Sequence, residues 1–164
     1  GDIFPDGKLI HLIRDGRAVL VSAWHHNIRS KDTRNQNLNL DQLLNHTAKE
    51  WAMRVRKGKE GRKLLGDRYF ELRYEDLHAD PVLWLTRTLN FLGADANPEV
   101  VAACVAEASF EKMSGGRKAG EEDRSSFFRK GMPEDWRNHL TTTQIVRFDQ
   151  LSGGCLWENG YSQV

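Results

Sequence analysis

The chain has little cysteine, no long apolar run and almost no net charge, and each shortage excludes a class of function. Two cysteines among 164 residues, Cys104 and Cys155, are too few for a disulfide framework and lack metal-ligand spacing. Both read as small core residues. No stretch approaches the roughly 18 uninterrupted apolar residues of a membrane-spanning helix, and no charged-apolar-small leader opens the sequence, so the expectation is a soluble, cytoplasmic chain without a membrane span. Lysine and arginine number 24 against 23 aspartates and glutamates, a formal net charge of +1. No global field then draws the molecule to nucleic acid or to an anionic membrane, and any affinity for anions must be local. No internal repeat is visible. The sequence opens at Gly1-Asp2 without a methionine, and it is read as part of something longer.

What is present fits one domain over residues 1–164, organised as an α/β layer structure. "LIHLI", residues 9–13, is a short branched apolar run bounded by Pro5-Asp6-Gly7 and a charged turn, and reads as a buried strand. A helix follows, with Asp15 at its cap and Gly16 allowing a tight turn. Residues 27–41 are polar and turn-rich, a surface loop. Leu43, Leu44, Thr47, Trp51 and Val55 fall at three- and four-residue steps, which predicts an amphipathic helix from about Leu43 to Leu65. Alternation in "RYFELRY" predicts a second strand at 68–74. Asp80-Pro81 and Asn97-Pro98 each pair a cap with proline at the first helical position. The first opens a helix to Leu92, stopped by Gly93, and the second a helix through "EVVAACVAEASFEKM". Residues 114–126 have almost no apolar side chain and are expected to be mobile or ordered only by a ligand. A closing helix is entered near Thr141–Thr143. Strands separated by helices imply crossovers and a parallel sheet. Two strands make a poor sheet, so its other members are expected upstream of Gly1.

Three stretches carry anion chemistry. In a parallel α/β sheet ligands collect beyond the carboxyl ends of the strands, where helix N-termini present free N–H groups. Arg14 stands at the end of the first strand and Tyr74 at the end of the second. Ser22, about two turns into the following helix, can offer a hydroxyl, and an arginine fork, a hydroxyl and a helix dipole together suit a phosphate dianion. The second stretch is Phe127-Phe128-Arg129-Lys130-Gly131: adjacent cations repel unless solvated or sharing an anion, and glycine lets the main chain approach a ligand. The third is Tyr74 with Glu75-Asp76, a ring that can flank a base. Read singly, each stretch also fits a solvated turn, a return to the core or a strand end.

Taken in order, these stretches resemble the sulfotransferase family that uses 3'-phosphoadenosine 5'-phosphosulfate (PAPS). "IRDGRAVLVSAWHH" resembles its 3'-phosphate motif, which implies that Arg14 and Ser22 hold that phosphate. "YFELRYEDLHADP" is similar to the segment whose tyrosine contacts adenine, here Tyr74. "SFFRKGMPEDWRNHLT" resembles the late loop, which implies Arg129, Lys130 and Gly131 at the 3'-phosphate and Phe127 and Phe128 beside the nucleotide. "ASFEKM" occupies the place of another adenine contact, adding Ser109 and Phe110. The resemblance implies a three-layer, P-loop-like parallel sheet flanked by helices, incomplete at its N-terminus. It also implies PAPS as donor, adenosine 3',5'-bisphosphate (PAP) as product, and a small-molecule acceptor.

The family's opening strand and PKSGTTW-type loop have no match here, and the resemblance puts its catalytic base and bridging lysine before the strand at 9–13. No catalytic residue is therefore assigned, and the 164 residues alone are expected to be inactive. A nucleotide-dependent small-molecule kinase and a non-catalytic nucleotide-binding fragment are the rival readings. The pair His25-His26 invites a metal, yet neighbours on a helix point about 100° apart and no third ligand stands at suitable spacing. The expectation is no metal, with His139 on the surface.

Overall fold

The computed structural model describes residues 5–29 and 39–162. It divides into two compact units, one of Gly1–Ile13 with Lys57–Ala119 and the other of Arg14–Arg56 with Gly120–Val164. The chain crosses between them three times, directly after the first strand, inside a long helix and after Ala119, so each unit is built from two separate pieces of chain.

The first unit contains β1 (Leu9–Ile13) and β2 (Tyr69–Arg73), paired in parallel with Leu9 opposite Tyr69 and Ile13 opposite Arg73. The parallel pairing expected from the sequence is present. The expected burial of the first strand is not: Ile13 is buried, while Leu9 and Leu12 are 40% and 52% exposed. Among the described residues the sheet has two strands, and a single neighbouring strand leaves most of β1 uncovered. Above the pair runs the end of a helix, α2 (Leu40–Leu65). Its Gly58 is there because a Cβ would lie 2.3 Å from the His11 ring, and at Gly61 a Cβ would rest in ordinary contact, 3.6 Å from Leu9. Glycine inside a helix costs up to about 1 kcal/mol relative to alanine; at Gly58 close approach to the strand accounts for it. His11 Nδ1 lies 2.6 Å from the Tyr69 hydroxyl, which donates to Glu71.

Helices α3 (Tyr74–Ala79), α4 (Pro81–Leu92), α5 (Pro98–Glu107) and α6 (Phe110–Met113) complete this unit. Asp80 caps α4 by accepting from Leu83 N at 3.0 Å, Gly93 ends it at φ 76°, and Asn97 caps α5 by accepting from Glu99 N at 3.0 Å. The helix expected to continue through "ASFEKM" stops at Glu107. Ser109 takes an extended conformation and its hydroxyl accepts from Lys112 N, capping α6 afresh, because a serine can satisfy a new helix start better than it supports a helix interior. Tyr74 is the first residue of α3 rather than the last of β2, and Cys104 is exposed on α5, not a core residue.

In the second unit α1 (Gly16–Arg29), the first two-thirds of α2, α7 (Thr142–Ser152) and α8 (Cys155–Glu158) surround a dense apolar centre. Leu20, Leu44, Phe148 and Cys155 are each fully buried. Gly16 is needed for space, since a Cβ there would come within 2.7 Å of both the Phe148 and Trp51 rings. Thr141 and Gln144 form a reciprocal capping box at the start of α7. Of the polar stretch expected as a loop between 27 and 41, residues 27–29 belong to α1 and 40–41 to α2; residues 30–38 lie outside the described residues. No helix among the described residues is long and apolar enough to cross a membrane.

Candidate functional site

The charged break after β1 is not a solvated turn. Arg17 and Asp15 are both buried, and their side chains pair through Nη2 to Oδ2 at 2.7 Å and Nε to Oδ1 at 3.0 Å. Asp15 Oδ1 also accepts from the backbone N–H of Arg17 at 2.8 Å, so it serves the helix start as the sequence predicts. The rest of the Arg17 fork donates to the Ser162 carbonyl, and its plane lies 3.9 Å from the Trp136 ring. Such a planar, delocalised cation tolerates burial when every donor is met and an aromatic face covers it. Immediately before it, the carbonyl of Arg14 accepts from the Trp51 indole N–H at 2.9 Å, which fixes the peptide from which the half-buried Arg14 side chain departs. Ser22 is exposed on α1.

The late loop answers the question its two adjacent cations pose. They share an anion, and the anion is the protein's own Asp135. Lys130 donates to Asp135 Oδ1 at 2.6 Å and Arg129 to Oδ2, while Asn138 and His139 lie at 3.0 and 2.9 Å from the same carboxylate. Burial alone would raise the Asp135 carboxyl; the bonds from Lys130, Arg129, Asn138 and His139 outweigh it and hold the group well below the usual range. Arg129 also donates to Glu122, whose carboxyl is lowered chiefly by that bond. Part of the segment expected to be mobile or ligand-ordered is tied to the chain's own backbone: Gly120 N–H donates to the Lys130 carbonyl at 2.8 Å and Asp123 N–H to the Arg129 carbonyl at 2.9 Å. Gly131 stands at φ 68°, a left-handed conformation that favours glycine. Phe127 and Phe128 pack edge to face, with Phe127 75% exposed.

The loop lies along α1. Arg17 stacks on Trp136, and two turns later the His25 ring sits 5.0 Å from the His139 ring. Ser22 falls between these two contacts in the chain. Arg14, Ser22, Phe127, Phe128, Arg129, Lys130 and Gly131 thus all belong to the second unit, whereas Tyr74, Ser109 and Phe110 belong to the first. There Tyr74 packs against His78 at 6.1 Å, Ser109 is occupied in capping α6, and the Arg117 guanidinium lies 5.5 Å from the Phe110 ring. Sequence reasoning missed Asp135 as the organiser of the late loop. Its only sequence signal is an acid placed five residues after the cation pair, next to a tryptophan.

A family model, the sulfotransferase domain, matches residues 3–157. The chain belongs to the sulfotransferase family. Rat sulfotransferase 1C2 is 30% identical over 160 residues, covering 88% of this chain and 53% of the rat protein. Cytosolic sulfotransferase 17 of Arabidopsis thaliana is 25% identical, with 92% of this chain and 51% of the plant protein covered. This chain therefore spans about half the length of the curated sulfotransferases it matches. Among solved structures, mouse sulfotransferase SULT7A1 complexed with PAP superposes with a TM-score of 0.75 at 24% identity, covering 91% of this chain and 58% of that one. Retinol dehydratase in complex with retinol and PAP gives 0.74 at 20%, covering all of this chain and 52% of that one. The fold is accordingly the P-loop-like α/β fold of the sulfotransferases, here mostly helical around a small parallel sheet.

Proposed function

We propose that this chain is the carboxyl-terminal portion of a PAPS-dependent sulfotransferase domain and that it grips the nucleotide. Arg14, Ser22, Arg129, Lys130 and Gly131 bind the 3'-phosphate, Phe127 and Phe128 flank the nucleotide, and Tyr74, Ser109 and Phe110 serve the adenine. PAPS, when bound, supplies an activated sulfuryl group for in-line transfer to the oxygen or nitrogen of a small-molecule acceptor. The residues named here orient the donor and hold its charge; catalysis by positioning and cationic stabilisation is the mode suited to a loose, anionic transition state. PAP in two of the similar solved structures, and retinol in one, support the donor and the class of acceptor. The exposed apolar faces of β1 and the half-length coverage of relatives support the reading as a portion. A cytosolic location is part of the same reading, in line with the name of the plant relative.

The observation that carries the proposal is the organised cation pair of the late loop, packed along the helix that begins after Arg14. Asp135 and Glu122 pair with Arg129 and Lys130, so a 3'-phosphate has to compete for them. Asp135 is buried and stays, whereas Glu122, on an exposed part of the loop, is the acid to be displaced. Thermal unfolding of the natural protein carrying this chain, with PAP and with ATP, tests the reading, because a ligand of the native state raises its stability by mass action. PAP is expected to raise the melting temperature more than ATP, and Arg14→Ala to remove the difference. A larger shift with ATP identifies a kinase instead, and no shift with either overturns nucleotide binding.

A further inference from the structure

Three side chains from distant parts of the sequence meet at the far end of α1. His25 comes from that helix, Glu122 from the loop before the cation pair and His139 from the turn after Trp136, and one donor atom of each lies within 4.8 Å of the others. The sequence expectation of no third ligand near His25 rested on linear spacing, and the fold supplies two. The expectation of a surface His139 also fails, since its ring is half-buried against Asp135, His25 and Trp24. We propose that His25, Glu122 and His139 form a binding site for a divalent transition-metal ion of the zinc class, with Asp135 orienting His139 from behind.

The donor set has the composition that such ions take, two imidazoles and one carboxylate. Tetrahedral coordination at about 2.0–2.1 Å puts ligand atoms about 3.4 Å apart, so the group has to close by roughly an ångström. Rotation of Glu122 on its loop supplies that movement. The imidazoles are prepared in different ways. His25 Nε2 is buried with no hydrogen-bond partner among the described residues, a costly state for a ring nitrogen that a metal would relieve. His139 presents Nε2 to the ionised Asp135 carboxylate at 2.9 Å. An ionised carboxylate accepts only, so Nε2 donates to Asp135, the carboxylate–histidine arrangement that orients metal-ligating rings.

Glu122 currently receives Arg129, and Arg124 stands 3.5 Å from its other oxygen. A metal must draw Glu122 away from both, while Arg129 keeps its bond to Asp135. The proposal does not depend on the nucleotide reading, although both move Glu122 away from Arg129.

The test is titration of the chelator-treated protein with Co2+, read by visible absorption, where a low-coordinate nitrogen and oxygen site gives an intense d–d spectrum and hydrated cobalt a weak one. The expected result is saturation at one equivalent, with Zn2+ displacing the cobalt. His25→Ala and Glu122→Gln should each weaken binding by about tenfold or more, whereas His26→Ala and His46→Ala should leave it unchanged. Glu122→Gln lies on an exposed loop and keeps the test valid if His25→Ala perturbs folding, which circular dichroism reports. Absence of saturable binding, or binding untouched by Glu122→Gln, overturns the proposal.

Discussion

The two units solve the burial problem differently. The unit containing α1, α7 and α8 buries large side chains completely, Leu20, Leu44 and Phe148 among them, and closes its charged groups inward on one another, Arg17 on Asp15 and the late cations on Asp135. The unit containing the sheet buries Tyr69, Leu72 and Val101, while β1 keeps Leu9, Ile10 and Leu12 substantially exposed and α4 has no buried residue. Its ion pairs are more exposed than those two: Lys59 and Glu71 are each about a third exposed, and Lys112 and Glu107 more than half. The lesson is that the polar machinery assigned to phosphate lies in the unit that is packed well enough to hold it rigidly.

Large-to-small substitution breaks that contrast most strongly if it is wrong. Phe148→Ala should cost about 3–5 kcal/mol in denaturant unfolding, as expected for a fully buried aromatic, and Leu12→Ala less than about 1 kcal/mol because half of that side chain is already in water. Equal costs would erase the distinction. The ion pairs come next. Asp135→Asn should destabilise by about 2–4 kcal/mol, since it removes the buried charge that Lys130 and Arg129 share, whereas Glu71→Gln should change stability by at most about 1 kcal/mol. Within the sheet unit the two helix glycines should separate. Gly58→Ala is expected to cost about 1–3 kcal/mol through collision with the His11 ring, and Gly61→Ala to be neutral or stabilising by up to about 1 kcal/mol.

The smallest effect is a pH dependence in the sheet unit. Burial lowers the pKa of His11 below its ordinary 6.5, against the Glu71 charge. The unfolded chain therefore binds the proton more readily than the folded one, and stability is full above pH 6.5 and declines as pH falls from there toward the folded value. His11→Gln should flatten the stability–pH curve in that window. An unaltered curve would remove His11 from the account.

Much of this was legible because the relevant chemistry is local. Asp80-Pro81, Asn97-Pro98 and Thr141 each announce a helix start through a cap that acts within three residues, and alternation in "YFELR" was enough for β2. Ser109 misled because a serine in an apolar helical run reads as a tolerated interior residue until its side chain is seen capping a new turn. The interior of the charged break was hidden for another reason. Arg14-Asp15-Gly16-Arg17 looks solvated in one dimension, and only the tertiary approach of Trp136 and Ser162 shows that Arg17 is a packing residue. Asp135 and the triad of His25, Glu122 and His139 depend on separations of up to 114 residues in the chain, beyond the reach of any spacing rule.

Hydrogen–deuterium exchange with and without PAP tests the central claim most directly, since it locates protection along the chain as well as detecting binding. The account predicts that PAP slows exchange in residues 14–22 and 127–131 together, and that Arg129→Ala abolishes both effects. Protection confined to other segments, or undiminished in that variant, would contradict the assignment of these residues to the 3'-phosphate.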